Sequence, residues 1–200
     1  MNRKDNQSVN DRTRPGEAGT DGGRPRFFTI GHSTRSVDEL VMLLREAGCD
    51  LVADVRTIPR SRTNPQFNAD TLPARLAEVG IAYRHLAQLG GLRGRRKGAA
   101  ASPNGFWENA SFRNYADYAM TPEFREGLAE LCALGRESTC AIMCAEAVWW
   151  RCHRRIITDY LLTEGYSMHH ILGPGHIEPA TTTPGARSQP DGTILYPPPG

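Results

Sequence analysis

The feature that most constrains the fold is a regular succession of short apolar segments and longer amphipathic segments, most of them separated by glycine. Short, largely apolar runs predict strands at 27–30, 51–55 and 140–144, of which 51–55 is of the buried type, and further strands are expected at 81–86 and 166–172. The amphipathic segments between them predict helices at 36–47, 72–79, 111–120, 122–134 and 151–164. Because parallel neighbouring strands need crossover connections of about a dozen residues, this order predicts a single three-layer α/β domain with a mostly parallel sheet of roughly five strands.

The two ends of the chain differ from its middle in composition. Residues 1–26 are nearly all polar residues, glycine and proline, without an apolar run that could be buried, and we expect them to form a disordered leader. From Gly173 onward proline and glycine recur, so we expect residues 173–200 to form a flexible tail. The α/β domain is therefore predicted to span residues 27–172.

The sequence lacks the signals that are typical of several classes of protein. No stretch reaches the roughly eighteen uninterrupted apolar residues of a membrane span, and we find no lipidation or secretion signal, so no membrane partner is expected. Five cysteines, an odd number without the spacing of a small disulfide-bonded domain, indicate free thiols and a cytoplasmic location. There is no Gly-x-Gly-x-x-Gly or Walker motif, and a net charge of +2 does not indicate a partner.

Chemically active side chains are concentrated in the segments that follow the predicted strands. Because the carboxyl ends of parallel strands meet at one edge of a sheet, where ligands of α/β proteins usually bind, we expect these segments to build one site. The helix-to-strand connections, such as residues 47–50, are plain turns. The candidate catalytic residues are His32, Cys144, Glu146, Cys152 and His153. The candidate substrate-binding residues are Arg56, Arg60, Arg62, Asn64, Gln66, His85 and Arg154.

The same segments resemble an uncharacterised bacterial family, DUF488. The matching motifs are Thr-Ile-Gly-His-Ser at 29–33, Asp-Val-Arg at 54–56, Pro-Arg-Ser at 59–61, Asn-Pro-Gln-Phe at 64–67, Leu-Gly-Gly at 89–91, Phe-Arg-Asn-Tyr-Ala-Asp-Tyr at 112–118, Met-Cys-Ala-Glu at 143–146 and Cys-His-Arg at 152–154. The family usually has glycine where Asn114 stands. The resemblance implies one α/β domain and brings no established activity, so function has to be argued from the residues.

Two of these segments indicate particular chemistry. Cys152, His153 and Arg154 are expected in the first turn of a helix, where free peptide N–H groups and the helix dipole attract anions and lower the pKa of a thiol. The arginines within 56–62 should converge on the same place. Glu146 follows a buried strand beside two tryptophans, and partial desolvation there would raise its carboxyl pKa and suit it to acid–base catalysis. Plain packing at a helix start, and an ordinary salt bridge of Glu146, are the structural alternatives.

Three further interpretations stay open. Cys144 ends a predicted strand, as the nucleophile of rhodanese-like sulfurtransferases and cysteine phosphatases does, although Arg151 lies one residue beyond the Cys-x5-Arg spacing. Zinc could be bound by Cys144, Cys152 and their neighbours, but adjacent cysteine and histidine side chains rarely chelate one ion, so no cofactor and no metal ligand is assigned. A non-catalytic module could bind nucleic acid through a basic, glycine-rich segment. Its basic residues are Arg93, Arg95, Arg96 and Lys97.

The leading interpretation is an enzyme that acts on a phosphorylated, nucleotide-like or nucleic-acid substrate at the carboxyl edge of the sheet. Arginine side chains would hold the phosphate of this substrate, and Glu146, His153 and His32 would be the acid–base groups. The expected partner is therefore a phosphate-containing small molecule or a nucleic acid.

Overall fold

The computed structural model describes residues 20–21, 24–95, 98 and 100–200, and shows a sheet with helices on both faces. The strands are β1 Thr20–Asp21, β2 Arg24–Gly31, β3 Leu51–Asp54, β4 Ala82–His85, β5 Cys140–Cys144, β6 Ser167–Gly173, β7 His176–Pro179, β8 Arg187–Ser188 and β9 Ile194–Leu195. The helices are α1 Val37–Glu46, α2 Leu72–Ala77, α3 Ala110–Ala119, α4 Pro122–Glu137 and α5 Arg154–Thr163. Short 3₁₀ turns lie at Pro65–Phe67, Ala87–Leu89 and Trp149–Arg151.

The central sheet has the strand order β4-β3-β5-β2-β6-β7. The first five of these strands run parallel to one another, β7 is antiparallel to β6, and β1 pairs antiparallel with β2. This arrangement confirms the predicted α/β class and its mostly parallel sheet. Strands β3, β5 and β2 are neighbours, so the segments that follow them emerge side by side at the carboxyl edge.

The core has two layers, because successive side chains of each strand point to opposite faces of the sheet. On β2, Phe27 packs with the apolar sides of α3, α4 and α5, whereas Phe28 and Ile30 pack with those of α1 and α2. Strand β5 is buried along its whole length, which explains why its sequence is apolar without alternation. The two layers of helices and the sheet between them make the predicted three-layer domain.

Local signals mark the starts of α1 and α4 and the ends of α1 and α2. The Ser36 hydroxyl accepts a hydrogen bond from the Glu39 N–H at 3.0 Å and caps α1, and Thr121 caps α4 in the same way. Gly48 and Gly80 follow α1 and α2 with φ angles of 69° and 77°, a region that glycine enters without steric cost.

After Gly173 the structure differs from the flexible tail that the sequence suggests. Residues 176–179 extend the sheet as β7, and β8 pairs with β9. Ile194 and Tyr196 have no exposed surface and pack in the layer of α3, α4 and α5. The Tyr196 hydroxyl also donates to the Asp159 carboxylate at 2.8 Å. Composition indicated flexibility here, but two buried side chains and this hydrogen bond hold the segment on the domain.

Only part of the predicted leader lies within the described residues. Residues 1–19, 22 and 23 are outside them, while Thr20–Asp21 pairs with Arg24 and Pro25, so β2 begins three residues earlier than predicted. Over the described part of the chain, no helix has the length and apolar character needed to cross a membrane.

Candidate functional site

A cavity of about 620 Å³ opens at the carboxyl edge of the sheet. Its wall comes from the segments that follow β2, β3, β4 and β5 and from the start of α3. The predicted site residues that line it are His32, Arg56, Arg60, Asn64, Cys144, Glu146, Cys152 and His153. The remaining predicted residues, Arg62, Gln66, His85 and Arg154, do not line it.

Asp54 and Arg56, at the end of β3, form a buried ion pair. The Arg56 Nε lies 2.9 Å from Oδ1 of Asp54, and its Nη2 lies 2.6 Å from Oδ2. Nη2 also donates to the Phe67 carbonyl, and the Tyr83 hydroxyl donates to Asp54 at 2.7 Å. Arg56 was predicted to bind substrate, but these partners already occupy most of its guanidinium, and its Nη1 faces His32.

His32 is held between Arg56 and its own loop. Its Nδ1 donates to the Ser33 carbonyl at 2.9 Å, because Nε2 has to accept from Arg56 Nη1 at 3.2 Å. The ring stacks on Phe67 with centroids 4.2 Å apart. Burial lowers the pKa of His32 to about 4, and the nearby charge of Arg56 acts in the same direction. His32 is therefore neutral at physiological pH, and both of its ring nitrogen atoms are occupied.

Two glycines allow the segments around the cavity to approach one another closely. A Cβ atom at Gly31 would collide with the Glu146 carbonyl and the backbone of Ala147. A Cβ atom at Gly91 would collide with the His153 ring. Ser33, two residues after Gly31, adopts a φ angle of 48°, which is unusual for a residue with a side chain. Close packing against the backbone of residues 146–147 and against the His153 ring therefore explains the glycines at positions 31 and 91.

Cys144, Cys152 and His153 bring two thiols and an imidazole together on the cavity wall. One atom from each side chain, the two Sγ atoms and a ring nitrogen, lies within 4.8 Å of the others. The His153 Nε2 donates to the Val55 carbonyl at 2.9 Å, and Nδ1 lies 3.6 Å from the Cys152 Sγ. The arrangement places a thiol beside a histidine nitrogen that can accept or donate a proton.

Arg154 adds a buried positive charge to this cluster. Its side chain is 1% exposed, its Nε donates to the Cys152 Sγ at 3.2 Å, and its Nη2 donates to the Glu146 carbonyl at 2.5 Å. Among the described residues, no carboxylate lies within 4.0 Å of this guanidinium. A buried charge without a counter-charge is strongly unfavourable, so the contact favours Cys152 as the thiolate that balances Arg154.

The two thiols of the cavity ionise differently. Burial raises the pKa of the Cys152 thiol, but a hydrogen bond from Cys144 and the positive charge of Arg154 outweigh burial and hold this pKa well below its usual value. The same hydrogen bond, together with burial, raises the pKa of Cys144 well above its usual value. These directions favour Cys152 over Cys144 as the ionised thiol of the pair.

Within the described residues, Cys144, Cys152 and His153 also form a group that could hold a metal ion. The argument that adjacent cysteine and histidine side chains rarely chelate one ion does not apply here, because both face Cys144. However, a cation bound to the Cys152 sulfur would lie close to the Arg154 guanidinium, which contacts the same sulfur. This positive charge disfavours a divalent ion, and we assign no metal to the site.

The turn before α5 differs from the sequence-based expectation. Helix α5 begins at Arg154, so Cys152 and His153 precede the helix and do not lie in its first turn. The short 3₁₀ turn Trp149–Arg151 takes the place of the predicted first turn. Glu146 is exposed, so the partial desolvation that suggested an acid–base role is not present. Its contribution to the cluster is its backbone carbonyl, which binds Arg154.

Three of the predicted substrate-binding residues lie beside the cavity and do not reach into it. Arg62 is exposed to solvent. The Gln66 Nε2 donates to the Arg35 carbonyl at 3.1 Å, and the His85 Nε2 donates to the Arg56 carbonyl at 2.7 Å. The amide and the imidazole therefore fix the backbone of the loops that carry the site.

Arg151 and Tyr115 line the cavity but were not among the predicted site residues. The sequence drew attention to Arg151 only for its spacing from Cys144. The Tyr115 ring lies 5.0 Å from the His153 ring, and its hydroxyl donates to the Leu89 carbonyl at 2.7 Å. Tyr115 belongs to the motif at 112–118, but it lies within a helix. The prediction selected only residues in the segments that follow strands, so it did not include Tyr115.

The lowered pKa values of two buried histidines lead us to expect a loss of stability on mild acidification. Burial lowers the pKa of both His32 and His170 from 6.5 to about 4. The unfolded chain binds these protons near pH 6.5 and the folded chain does not, so the free energy of unfolding falls as the pH falls through this window. We expect each histidine to account for about 1.5 kcal/mol between pH 6.5 and 5, as measured by urea denaturation.

The control for this prediction is a non-titrating side chain at the same positions. His32→Gln and His170→Gln should each flatten the dependence of unfolding free energy on pH, because glutamine keeps a donor and an acceptor without a charge change. If the double variant lost stability on acidification as steeply as the original chain, the two histidines would not be the groups responsible.

The fold and the site define a class of protein: a three-layer α/β domain with a cavity at the carboxyl edge of its sheet, lined by two thiols, a histidine and arginines. The chain belongs to the family described as Domain of unknown function DUF488, whose family model matches residues 36–161. The match includes Cys144 and Cys152, whereas Gly31 and His32 precede it. No curated protein and no solved structure matches the chain significantly.

Proposed function

We propose that the chain is a cysteine-dependent enzyme that acts on a phosphorylated, nucleotide-like substrate, with Cys152 as the nucleophile. The observation that carries the proposal is the 3.2 Å contact between the Cys152 sulfur and the buried Arg154 guanidinium. The thiolate, and not the thiol, is the nucleophilic form of cysteine, so a charge that keeps Cys152 ionised prepares it for attack. Arg154 acts through Cys152 and is a positioning residue.

His153 is placed to support the proton transfers of such a reaction. Its Nε2 is anchored on the Val55 carbonyl, which fixes the orientation of the ring. Its Nδ1, 3.6 Å from the Cys152 sulfur, is then the atom that exchanges protons with the substrate. It would give a proton to the leaving group during attack by Cys152 and take one from the water that releases the enzyme-bound phosphoryl group.

The rim of the cavity suits an anionic group. Arg60 and Arg151 are exposed and line the cavity, and neither has a carboxylate within 4.0 Å among the residues that the structure describes. The peptide N–H group of Ala145, which also lines the cavity, donates to no backbone carbonyl in the described structure, whereas that of Glu146 contacts the Cys144 sulfur. The two arginines and the Ala145 peptide group support binding of phosphate oxygen atoms, whereas Arg56 and Arg154 are committed to protein partners.

Apolar surface at the same cavity supports a substrate with a ring. Ile58 and Leu92 are 64% and 74% exposed and line the cavity, together with Phe112 and Tyr115. A planar base or another ring can pack against such side chains while its phosphate reaches the arginines. A volume of about 620 Å³ is also in the usual range of small-molecule sites.

Cys152→Ser is expected to abolish release of phosphate by this protein, because a serine hydroxyl at this position is not ionised at neutral pH. The measurement is inorganic phosphate released from a panel of nucleotides and from p-nitrophenyl phosphate. Cys132→Ser is the matched control, since Cys132 is buried, contacts Glu164 and does not line the cavity. Release by Cys152→Ser at the original rate would exclude Cys152 as the nucleophile.

Alkylation by iodoacetamide gives a second readout that needs no substrate. Cys152 should be alkylated at neutral pH because it is ionised there. Cys132 and Cys140 should not react, because burial raises the pKa of each thiol to about 12. Mass spectrometry of the peptides identifies the modified cysteine, and a Cys152 that reacts only in alkaline solution would contradict the thiolate assignment.

The alternative of a non-catalytic nucleic-acid-binding module has less support from the described residues. The Arg93 guanidinium donates to carbonyl groups within residues 87–90 and lies 3.7 Å from the centroid of the Tyr118 ring, so it stabilises its own loop. Arg96 and Lys97 lie outside the described residues. Such a module would bind DNA or RNA with a steep salt dependence and without turnover, which distinguishes it from the enzyme proposed here.

A further inference from the structure

The proposed reaction uses one thiol of the cavity as the nucleophile and gives the second, Cys144, no chemical step beyond its hydrogen bond to Cys152. Cys144 ends β5 and Cys152 precedes α5, so the two thiols come from different elements and meet across the cavity wall. Their sulfur atoms lie within 4.8 Å of each other, and both are free thiols. When a cysteine thiolate is oxidised to a sulfenic acid, a thiol beside it can attack the oxidised sulfur and form a disulfide.

We propose that Cys144 and Cys152 form a reversible disulfide when a peroxide enters the cavity, and that this bond switches the site off. The inference rests on the proposed function, because it takes Cys152 as the reactive thiolate of that site. The cavity admits a small oxidant to both sulfur atoms, since Cys144 and Cys152 both line it. Oxidation would consume the nucleophile and block substrate attack until a reductant restores the thiols.

The chemistry begins with attack of the Cys152 thiolate on one oxygen of hydrogen peroxide. The S–O bond forms as the O–O bond breaks, so the sulfur loses two electrons, the peroxide gains them, and hydroxide leaves. The Cys144 thiol then attacks the sulfur of the Cys152 sulfenic acid. The S–S bond forms as the S–O bond breaks, and the thiol proton leaves with the sulfenic oxygen as water. An organic hydroperoxide reacts in the same way and releases an alcohol.

The other three cysteines are poor competitors for the oxidant. Cys49, Cys132 and Cys140 are buried, and none of them lines the cavity. Burial raises the pKa of each of these thiols, so they stay protonated and weakly nucleophilic. Peroxide should therefore oxidise Cys152 first.

The buried Arg154 provides a reason why the disulfide should be reversible. In the reduced protein the Cys152 thiolate balances the charge of Arg154, whereas a disulfide sulfur is neutral. Oxidation therefore leaves a buried guanidinium without its counter-charge, which destabilises the oxidised state relative to the reduced one. A dithiol reductant such as dithiothreitol should restore both thiols.

The test uses the full chain and localises the bond by tryptic peptides. The reduced protein is treated with hydrogen peroxide at neutral pH, free thiols are blocked with iodoacetamide, and the digest is analysed by mass spectrometry without reduction. Cleavage after Arg136, Arg151 and Arg154 puts Cys144 in peptide 137–151 and Cys152 in peptide 152–154. The cross-linked pair of these peptides should appear with peroxide and disappear with dithiothreitol.

Peptide 137–151 also contains Cys140, and matched variants separate the two thiols. The cross-link should persist in Cys140→Ser and be lost in Cys144→Ser, in which Cys152 should accumulate as sulfinic acid instead. A cross-link that survives in Cys144→Ser and is lost in Cys140→Ser would overturn the proposal. It would also be overturned if the reduced protein contained one equivalent of zinc that Cys144→Ser removed, because both thiols would then be metal ligands.

The outcomes also separate this inference from the proposed function. If iodoacetamide modified Cys152 at neutral pH but peroxide produced no cross-link to Cys144, the switch would be excluded and the nucleophile would stand. If Cys152 reacted with neither reagent, the proposed function would fail together with the switch.

Discussion

Asp54→Ala is expected to lower the free energy of unfolding by about 3–5 kcal/mol. Asp54 has no exposed surface and pairs with Arg56, which is 7% exposed. An arginine does not lose its proton in a protein, so removal of the carboxylate leaves a buried, permanent positive charge. The Tyr83 hydroxyl loses its acceptor at the same time. These two effects should make Asp54→Ala strongly destabilising.

The measurement is urea denaturation at neutral pH, with two variants for comparison. Asp70→Ala is the matched control, because Asp70 is exposed and its carboxylate contacts only Thr71 among the described residues; it should change stability little. Asp54→Asn combined with Arg56→Met removes both charges and should recover much of the loss. A double variant no more stable than Asp54→Ala would show that the unpaired charge is not the cause.

The fold could be predicted from the sequence because its signals are local and repeated. Three of the five predicted strands, at 27–30, 51–55 and 140–144, are short, largely apolar runs, and most helices end at a glycine such as Gly48, Gly80 or Gly165, all of which have positive φ angles. The strand order could not be predicted, because β2 pairs with β5 and β6, which lie far along the chain. Such pairing depends on the packing of the whole domain, and no local pattern reports it.

The position of the candidate site, a cavity at the carboxyl edge, could also be predicted, since it follows from topology. The roles of individual residues could not. Arg56 and Arg60 look alike in the sequence, yet the first is buried on Asp54 and the second is exposed at the cavity. The sequence likewise grouped Arg154 with the substrate-binding arginines, whereas it contacts the Cys152 sulfur. Burial and partner identity separate these arginines, and both are properties of the folded chain.

The C-terminal segment shows the limit of composition as a guide. Its prolines and glycines lower the apolar fraction of residues 173–200, and this suggested flexibility. Ile194 and Tyr196 nevertheless fill the layer beside α3, α4 and α5, and the Tyr196 N–H donates to the Asn104 side chain at 2.8 Å. Two well-placed side chains are enough to anchor a segment whose average composition is that of a linker.

Arg154→Met is expected to slow alkylation of Cys152 at neutral pH tenfold or more. The variant removes the positive charge 3.2 Å from the sulfur, so the pKa of the Cys152 thiol should rise and the thiolate fraction should fall. The measurement is the rate of reaction with iodoacetamide as a function of pH, with Cys152 identified by its peptide. The midpoint of this profile should shift to higher pH, which a purely structural role of Arg154 would not cause.

Arg155→Met is the matched control, because Arg155 is the next residue on α5 and contacts Thr183 and the Trp107 ring, away from the cavity thiols. Arg154→Lys, which keeps a positive charge, should restore part of the original profile and covers the case in which the methionine variant folds poorly. An unchanged midpoint in both Arg154 variants would contradict the ion pair.

The two buried ion pairs should respond differently to the loss of one partner. Arg56 stays charged when Asp54 is removed, whereas Cys152 can take up a proton and become neutral when Arg154 is removed. Loss of Arg154 should therefore affect reactivity far more than stability, whereas loss of Asp54 should do the reverse.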